Sequence, residues 1–233
     1  MTFPELFDRF SVAILPLERS TEARLRFQDE ARYASARSGD ALFTGSDADQ
    51  VVFVASGSTK LVAHASHGRE QVVAFHFAGD LILVPARAAH AYAVCALEGC
   101  EFIYFPAREF LELARFETGM VEQLLDHTMQ ALARCREKTI TLGRKSAQER
   151  VATFLVTMAE RIGVEDERGG CVLDLTMSRR DIADSLGLTI ETVSRQLSQL
   201  RSASLLETHG RSRIVLLDLP SLNARAGRLS GPE

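Results

Sequence analysis

Between about residues 31 and 105 the chain alternates short apolar stretches with regularly placed glycine breaks. The stretches are VVFVA (51–55), TKLVAH (59–64), EQVVAFHF (70–77), AYAVCAL (91–97) and EFIYF (101–105). Each has strand length and is rich in β-branched or aromatic residues. The breaks fall at Gly39-Asp40, Gly57-Ser58, His67-Gly68-Arg69, Gly79-Asp80 and Glu98-Gly99. This cadence predicts an antiparallel β-roll or small barrel. Helical signals flank it: a weakly amphipathic segment from Leu6 to Leu17, and a short helix beginning near Pro106.

From Glu117 to Leu142 the only helix breaker is Gly119, and Val121, Leu125, Thr128, Leu132, Cys135, Thr139 and Leu142 recur at alternating spacings of four and three. That is the seam of a coiled coil, which predicts a long helix paired with a second copy of itself. In such a pair Cys135 faces its symmetry mate. A surface helix lying on the β-roll is the alternative.

The last third carries the sharpest signals. SAQERVATFLVTMAERIG predicts a helix over 146–162 that buries Val151, Phe154, Leu155, Met158 and Ile162 and stops at Gly163. After the polar loop EDERGG come two short helices around Gly187, then a β-hairpin. Ser178 with Asp181 forms a capping box for the first of these helices, and Thr189 caps the second. At about 100° per residue, Ile190, Val193, Leu197 and Leu200 gather on one apolar face of the second helix. Glu191, Arg195, Ser198 and Ser202 gather on the other. Such a ridge has the chemistry of base readout: Arg195 can donate two parallel hydrogen bonds to guanine, and Glu191 can accept from the amino group of cytosine. An ordinary surface helix with an incidental Glu/Arg pair would show the same wheel.

Composition limits the classes open to the chain. Its 233 residues, 46% hydrophobic and 25% charged, suffice for one large domain or two small ones. No apolar run is long enough to span a bilayer, and the first residues are acidic where a secretory signal would be basic, so a cytoplasmic protein with no membrane partner is expected. Cys95, Cys100, Cys135 and Cys171 show no pair spacing, which indicates neither a disulfide framework nor structural zinc. The net charge is −4, but it is unevenly spread. From Lys145 onward 12 basic residues balance 12 acidic ones, against 15 and 19 before it, and residues 179–213 hold six arginines to four acids. An acidic body with a locally basic face suits a protein that approaches phosphates at one place only.

The segment SRRDIADSLGLTIETVSRQLSQL closely resembles the helix-turn-helix of the Crp/Fnr superfamily of bacterial regulators, and its E-T-V-S-R core is similar to the E-x-x-S-R signature of the Fnr and FixK branch. The likeness continues upstream into SAQERVATFL and, less specifically, over the β-roll and long helix. It implies an α+β protein with an N-terminal antiparallel, cyclic-nucleotide-binding-like β-roll over 1–116, a dimerisation helix over 117–144 and a C-terminal winged helix-turn-helix over 145–233. It also implies a homodimer on double-stranded DNA, with Glu191, Ser194 and Arg195 reading a TTGA-like half-site and the partner reading the inverted copy about one turn away. Thr192 within the same core is counted with these contacts. Ser178, Arg179 and Arg180 match the family's phosphate contacts, at a helix start that itself favours anions. Arg211 and Arg213 in the hairpin are added on charge. Activation through RNA polymerase is the family habit.

The signal sensed is the least legible part. The iron–sulfur centre of Fnr needs an N-terminal cysteine cluster, and the first cysteine here is Cys95. Cyclic-nucleotide binders carry a Gly-Glu-Leu turn before a phosphate arginine. This chain keeps Arg87 in PARAAH but runs from Gly79-Asp80 through Leu81-Ile82-Leu83-Val84 into Pro85 without that turn. His64, His67, His76 and His90 invite a metal or haem but lack ligand spacing. Cys95 and Cys100 flank a turn, where cross-strand neighbours could approach bonding distance. The expectation is therefore a regulator with no cofactor, metal or catalytic residue, controlled by its own abundance. The competing readings are a cupin-like β-roll metalloprotein and a ligand-binding module acting through protein partners.

Overall fold

The structure, a computed structural model, describes residues 1–16, 21–44, 47–64, 70–86, 88–117, 119–166, 169–210 and 212–227. They form two compact units, Met1–Leu132 and Ala133–Glu233.

The first unit contains two four-stranded antiparallel sheets. Strands β1 (Arg32–Ala36), β3 (Gln50–Ser56), β6 (Leu81–Val84) and β8 (Cys100–Pro106) form one, in the order β1-β8-β3-β6. Strands β2 (Ala41–Leu42), β4 (Ser58–His64), β5 (Glu70–Phe77) and β7 (Ala91–Ala96) form the other, in the order β2-β7-β4-β5. All five predicted strands are present.

The run VVFVA is continuous rather than alternating because β3 is covered on both faces. Val52 and Val54 join Phe102, Ile82, Val84, Val94 and Ala96 between the sheets. Val51, Phe53 and Ala55 face helices α1 (Phe3–Ile14), α2 (Thr21–Glu30) and α3 (Ala107–Ala114), where Leu6, Phe7, Phe10, Phe27, Phe105 and Phe110 close a second core. Gly57 shows why the turn after β3 needs glycine. Its φ is +82°, and a Cβ there would lie 2.5 Å from the Gly99 carbonyl oxygen.

Four elements of this unit escape the sequence pattern, among them β2, which has only two residues. Helix α2 buries only Ala23 and Phe27, too few positions to form a periodic signal. β1 and β6 are short edge strands, and β1 is polar over most of its length. The idea that Cys95 and Cys100 approach each other as cross-strand neighbours is overturned. Cys95 lies in β7 opposite Ala41 and Lys60, whereas Cys100 opens β8 opposite Ala36 in the other sheet. The turn between them changes sheets. All four cysteines are thiols.

Helix α4 (Met120–Arg144) is the long predicted helix, and the division between the units falls within it. In the second unit, α5 (Ala147–Ile162) begins with Ser146 and Glu149 in a reciprocal capping box and buries Val151, Phe154, Leu155 and Met158. It packs on α7 (Ile190–Ser202) and on α8 (Leu219–Arg225). The hairpin β11 (Leu206–His209) and β12 (Arg213–Leu216) gains two partners that the sequence pattern presents as loop. These are β10 (Cys171–Asp174) and β9 (Val164–Glu165), giving the order β11-β12-β10-β9.

Candidate nucleic-acid interface

Helix α6 (Arg179–Leu186) starts where predicted. Ser178 Oγ accepts from the Asp181 amide, and Asp181 Oδ2 accepts both the Ser178 amide, at 2.9 Å, and its hydroxyl, at 2.6 Å. The capping serine therefore directs its hydroxyl proton to Asp181. The helix ends on Gly187 with φ +61°, a left-handed conformation that glycine adopts without penalty. Two residues on, Thr189 Oγ1 accepts from the Thr192 amide and starts α7.

One side of α7 is core: Val193, Leu197 and Leu200 are buried, with Gln196 beside them and Ile190 half-buried. Glu191, Ser194, Arg195, Ser198 and Ser202 are exposed. The arginine is partly steered, because Arg195 Nη2 donates to Thr192 Oγ1 at 3.4 Å and that hydroxyl lies 3.1 Å from Thr189 Oγ1. The Glu191 carboxyl is held below its ordinary pKa by its own backbone amide and by the Thr189 hydroxyl, so it is an anion and a strong acceptor. An acceptor and a guanidinium thus project one turn apart from a helix anchored by its other side.

Arg179 is half-buried and Arg180 exposed at the start of α6. Burial lowers the Arg179 pKa. Arg211 lies outside the described residues. Arg213 is not brought to the α7 ridge: it pairs in register with Asp174 and lines a groove with Glu165, Asp166 and Asp174.

One residue that sequence reasoning missed organises the whole unit. Arg150, on α5, donates through Nη1 to the Leu186 carbonyl at 2.9 Å, through Nη2 to Leu142 at 2.8 Å and through Nε to Lys145 at 2.9 Å. It ties the end of α4 and the start of α5 to the terminal carbonyl of α6, beside the turn that aims α7. No sequence pattern distinguishes it from a solvated helix arginine.

Comparison with known proteins agrees with this geometry. Residues 149–225 match the Crp-like helix-turn-helix domain, and residues 34–115 match the cyclic nucleotide-binding domain. The transcriptional activator protein FnrL of Cereibacter sphaeroides is 31% identical over 199 residues, covering 84% of this chain and 80% of that protein. The nitrogen fixation regulation protein FixK of Rhizobium meliloti is 37% identical over 158 residues, covering 68% and 69%. The solved structure of FixK2 from Bradyrhizobium japonicum superposes with a TM-score of 0.74 at 31% identity, over 86% of this chain and 99% of that one. This chain belongs to the Crp/Fnr family.

As a Crp/Fnr protein of the Fnr/FixK branch it is a DNA-binding transcription regulator and not an enzyme, with Glu191 and Arg195 on the exposed face of the family's helix-turn-helix. The family's β-roll implies a cyclic nucleotide, and among the described residues the interior between the sheets is apolar. A cyclic phosphate needs cations or convergent amides. Here the space between the sheets is filled by Val52, Val54, Ile82, Val94 and Phe102, with Phe43 edge-on to Phe102 and Tyr104. Residues 81–84 are a strand hydrogen-bonded to β3. Arg87 and His67 lie outside the described residues.

Of the other β-roll histidines, His64 sits opposite Glu70 on one side and opposite Ala91, the neighbour of His90, on the other, while His76 lies opposite Thr59 at the far end of the β4–β5 pair. Among the described residues no three His, Cys, Asp or Glu side chains converge as metal ligands, and no helix is long and apolar enough to cross a membrane.

Along α4, Val121, Leu125, Thr128, Leu132, Cys135 and Thr139 are all exposed, while Leu142 is half-buried. Val121 and Leu125 expose 62% and 58% of their surface. Met129 and Ile140, which lie off the heptad seam, are as exposed and widen the apolar stripe.

Proposed function

We propose that the protein is a cytoplasmic homodimeric activator that binds a TTGA-type inverted repeat and acts through RNA polymerase. Each copy inserts α7 into a major groove, where Arg195 donates to guanine N7 and O6 and Glu191 accepts from a cytosine amino group. The observation that carries this reading is the pairing of exposed Glu191 and Arg195 on the face of α7 opposite buried Val193, Leu197 and Leu200. Arg179 and Arg180 at the α6 start supply sequence-independent phosphate contacts, and Ser194 a backbone or pyrimidine contact. The homodimer is supported by the exposed α4 stripe, since a row of large apolar side chains on a helix is covered in the native assembly. Activation is supported by the likeness to FnrL, a transcriptional activator protein.

We further propose that the β-roll acts as a scaffold without a cyclic nucleotide, haem or metal, as its packed interior suggests. Neither cAMP nor cGMP should then raise the melting temperature or alter DNA affinity.

Selection of bound sequences from random duplexes by the purified chain tests the assignment. A palindrome with TTGA half-sites is the expected product. Arg195→Ala should weaken binding to it by about 1–3 kcal/mol with little change in folding, and unchanged affinity would refute direct readout. Arg179→Ala should weaken all sequences alike and flatten the salt dependence.

A further inference from the structure

A hollow of about 180 Å³ opens on the flank of α7, lined by Arg179, Ser194, Leu197, Ser198, Arg201 and Thr208. These residues come from three elements: the first turn of α6, the middle and last turns of α7 and strand β11. Two guanidiniums and three hydroxyls share a rim that holds no carboxylate. Among the described residues neither Arg179 nor Arg201 has an acidic partner within 4 Å. Like charges around one small concavity repel one another, and a half-buried guanidinium without a counter-charge is costly. An anion entering the hollow removes both costs at once.

We propose that this hollow seats one phosphodiester of the DNA backbone, with Arg201 and Thr208 as contacts that join Arg179 around the same phosphate. The proposal rests on the DNA-binding reading above and adds a place where the recognition helix is fixed in the groove.

Position favours a backbone phosphate over a base. On the α7 wheel Ser194 and Arg201 lie at about 80–100° and the Glu191–Arg195 ridge at about 160–200°, with Val193 as zero. When the ridge faces the floor of a major groove about 12 Å wide, the flank of the helix faces a sugar–phosphate wall.

The chemistry matches as well. A phosphodiester carries one negative charge and two free oxygens, which a guanidinium can hold in bidentate fashion while hydroxyls donate to the remaining lone pairs. The volume equals that of roughly six liquid waters, enough for a phosphate group and part of its hydration. Ser198 Oγ already donates to the Ser194 carbonyl at 3.0 Å, so Ser194 and Thr208 are the hydroxyls left to serve. The same chemistry would accept free inorganic phosphate, and the experiment separates the two sources.

The full chain and its Arg201→Ala and Thr208→Val variants are titrated against a TTGA palindrome and a scrambled duplex of equal length, from 50 to 200 mM salt. Arg201→Ala should weaken both duplexes by a similar factor, about five- to tenfold, and reduce the salt slope by about 0.9 per half-site. Thr208→Val should give a smaller loss, also shared by both duplexes.

A single methylphosphonate linkage, which is neutral, is then walked along the palindrome. At one linkage per half-site its penalty should be large for the native chain and clearly smaller for Arg201→Ala, in which Arg179 still meets that phosphate. The hollow is not a backbone site if Arg201→Ala binds as the native chain does, or if every linkage keeps its penalty in that variant. A backbone role is equally excluded if inorganic phosphate stabilises the native chain but not the variant while no linkage is sensitive.

Arg195→Ala on the same duplexes keeps the two ideas apart. A loss confined to the palindrome in Arg195→Ala, beside a neutral Arg201→Ala, removes only the hollow. Neutrality of both removes DNA readout as well.

Discussion

Replacing Arg150 by alanine should cost the second unit more than any change on its DNA-facing surface. The side chain makes three charge-assisted hydrogen bonds of 2.8–2.9 Å, all to backbone carbonyls. Leu186 is the last residue of α6, whose terminal carbonyls have no intrahelical partner, and Leu142 and Lys145 bracket the passage from α4 to α5. A hydrogen bond to a charged group contributes about 1.5–3 kcal/mol, and the exposed share of this site lets water recover part of each. Three such bonds at the lower end sum to about 4.5 kcal/mol, and the part that water recovers leaves roughly 3–4 kcal/mol lost.

Lysine at the same place keeps the charge but cannot fork towards three acceptors, so Arg150→Lys should recover about a third of the loss. Urea denaturation followed by circular dichroism measures both, with the midpoint moving and the slope held. A loss below about 1 kcal/mol for Arg150→Ala would mean that water replaces the guanidinium at all three carbonyls, and the clamp would be decorative.

Two further outcomes follow from α4. In the proposed dimer Cys135 meets its symmetry mate, so copper phenanthroline and air should give a reducible species of twice the chain mass, abolished by Cys135→Ser but not by Cys95→Ser. Absence of that species would place the seam elsewhere on the helix. Burial pulls Lys138 from its ordinary 10.5 down to about 8. The unfolded chain therefore binds the extra proton between those values, and stability should climb as pH rises from about 8 towards 10.5. Lys138→Met should flatten that climb and raise the melting temperature at pH 7, and an unchanged profile would show that Lys138 stays hydrated.

Local chemistry made much of this protein readable from its residues. The capping box of Ser178 and Asp181, the left-handed Gly187 and the Thr189 cap depend on near neighbours, so the boundaries of α6 and α7 are written locally. The amphipathic wheel of α7 survives intact for the same reason: a helix surrounded by a core on one side only must encode that side in its own period. Strands as apolar as VVFVA and EQVVAFHF announce themselves too. Where the local signal is thin, reading failed. Helix α2 is anchored by two side chains, and β10 and β9 are short pieces added one after the other to the edge of the hairpin.

Sequence alone thus determined the helices and strands that carry a strong local period, and that an acid and an arginine share the outer face of one capped helix, because periodicity and capping act over a few residues. Tertiary structure alone decided that Cys95 and Cys100 part into different sheets, that Arg150 binds three carbonyls distant in sequence, and that Arg179, Arg201 and Thr208 meet around one hollow. Those facts depend on which elements pack together, and a contact between residues far apart in the chain leaves no mark in the pattern of either.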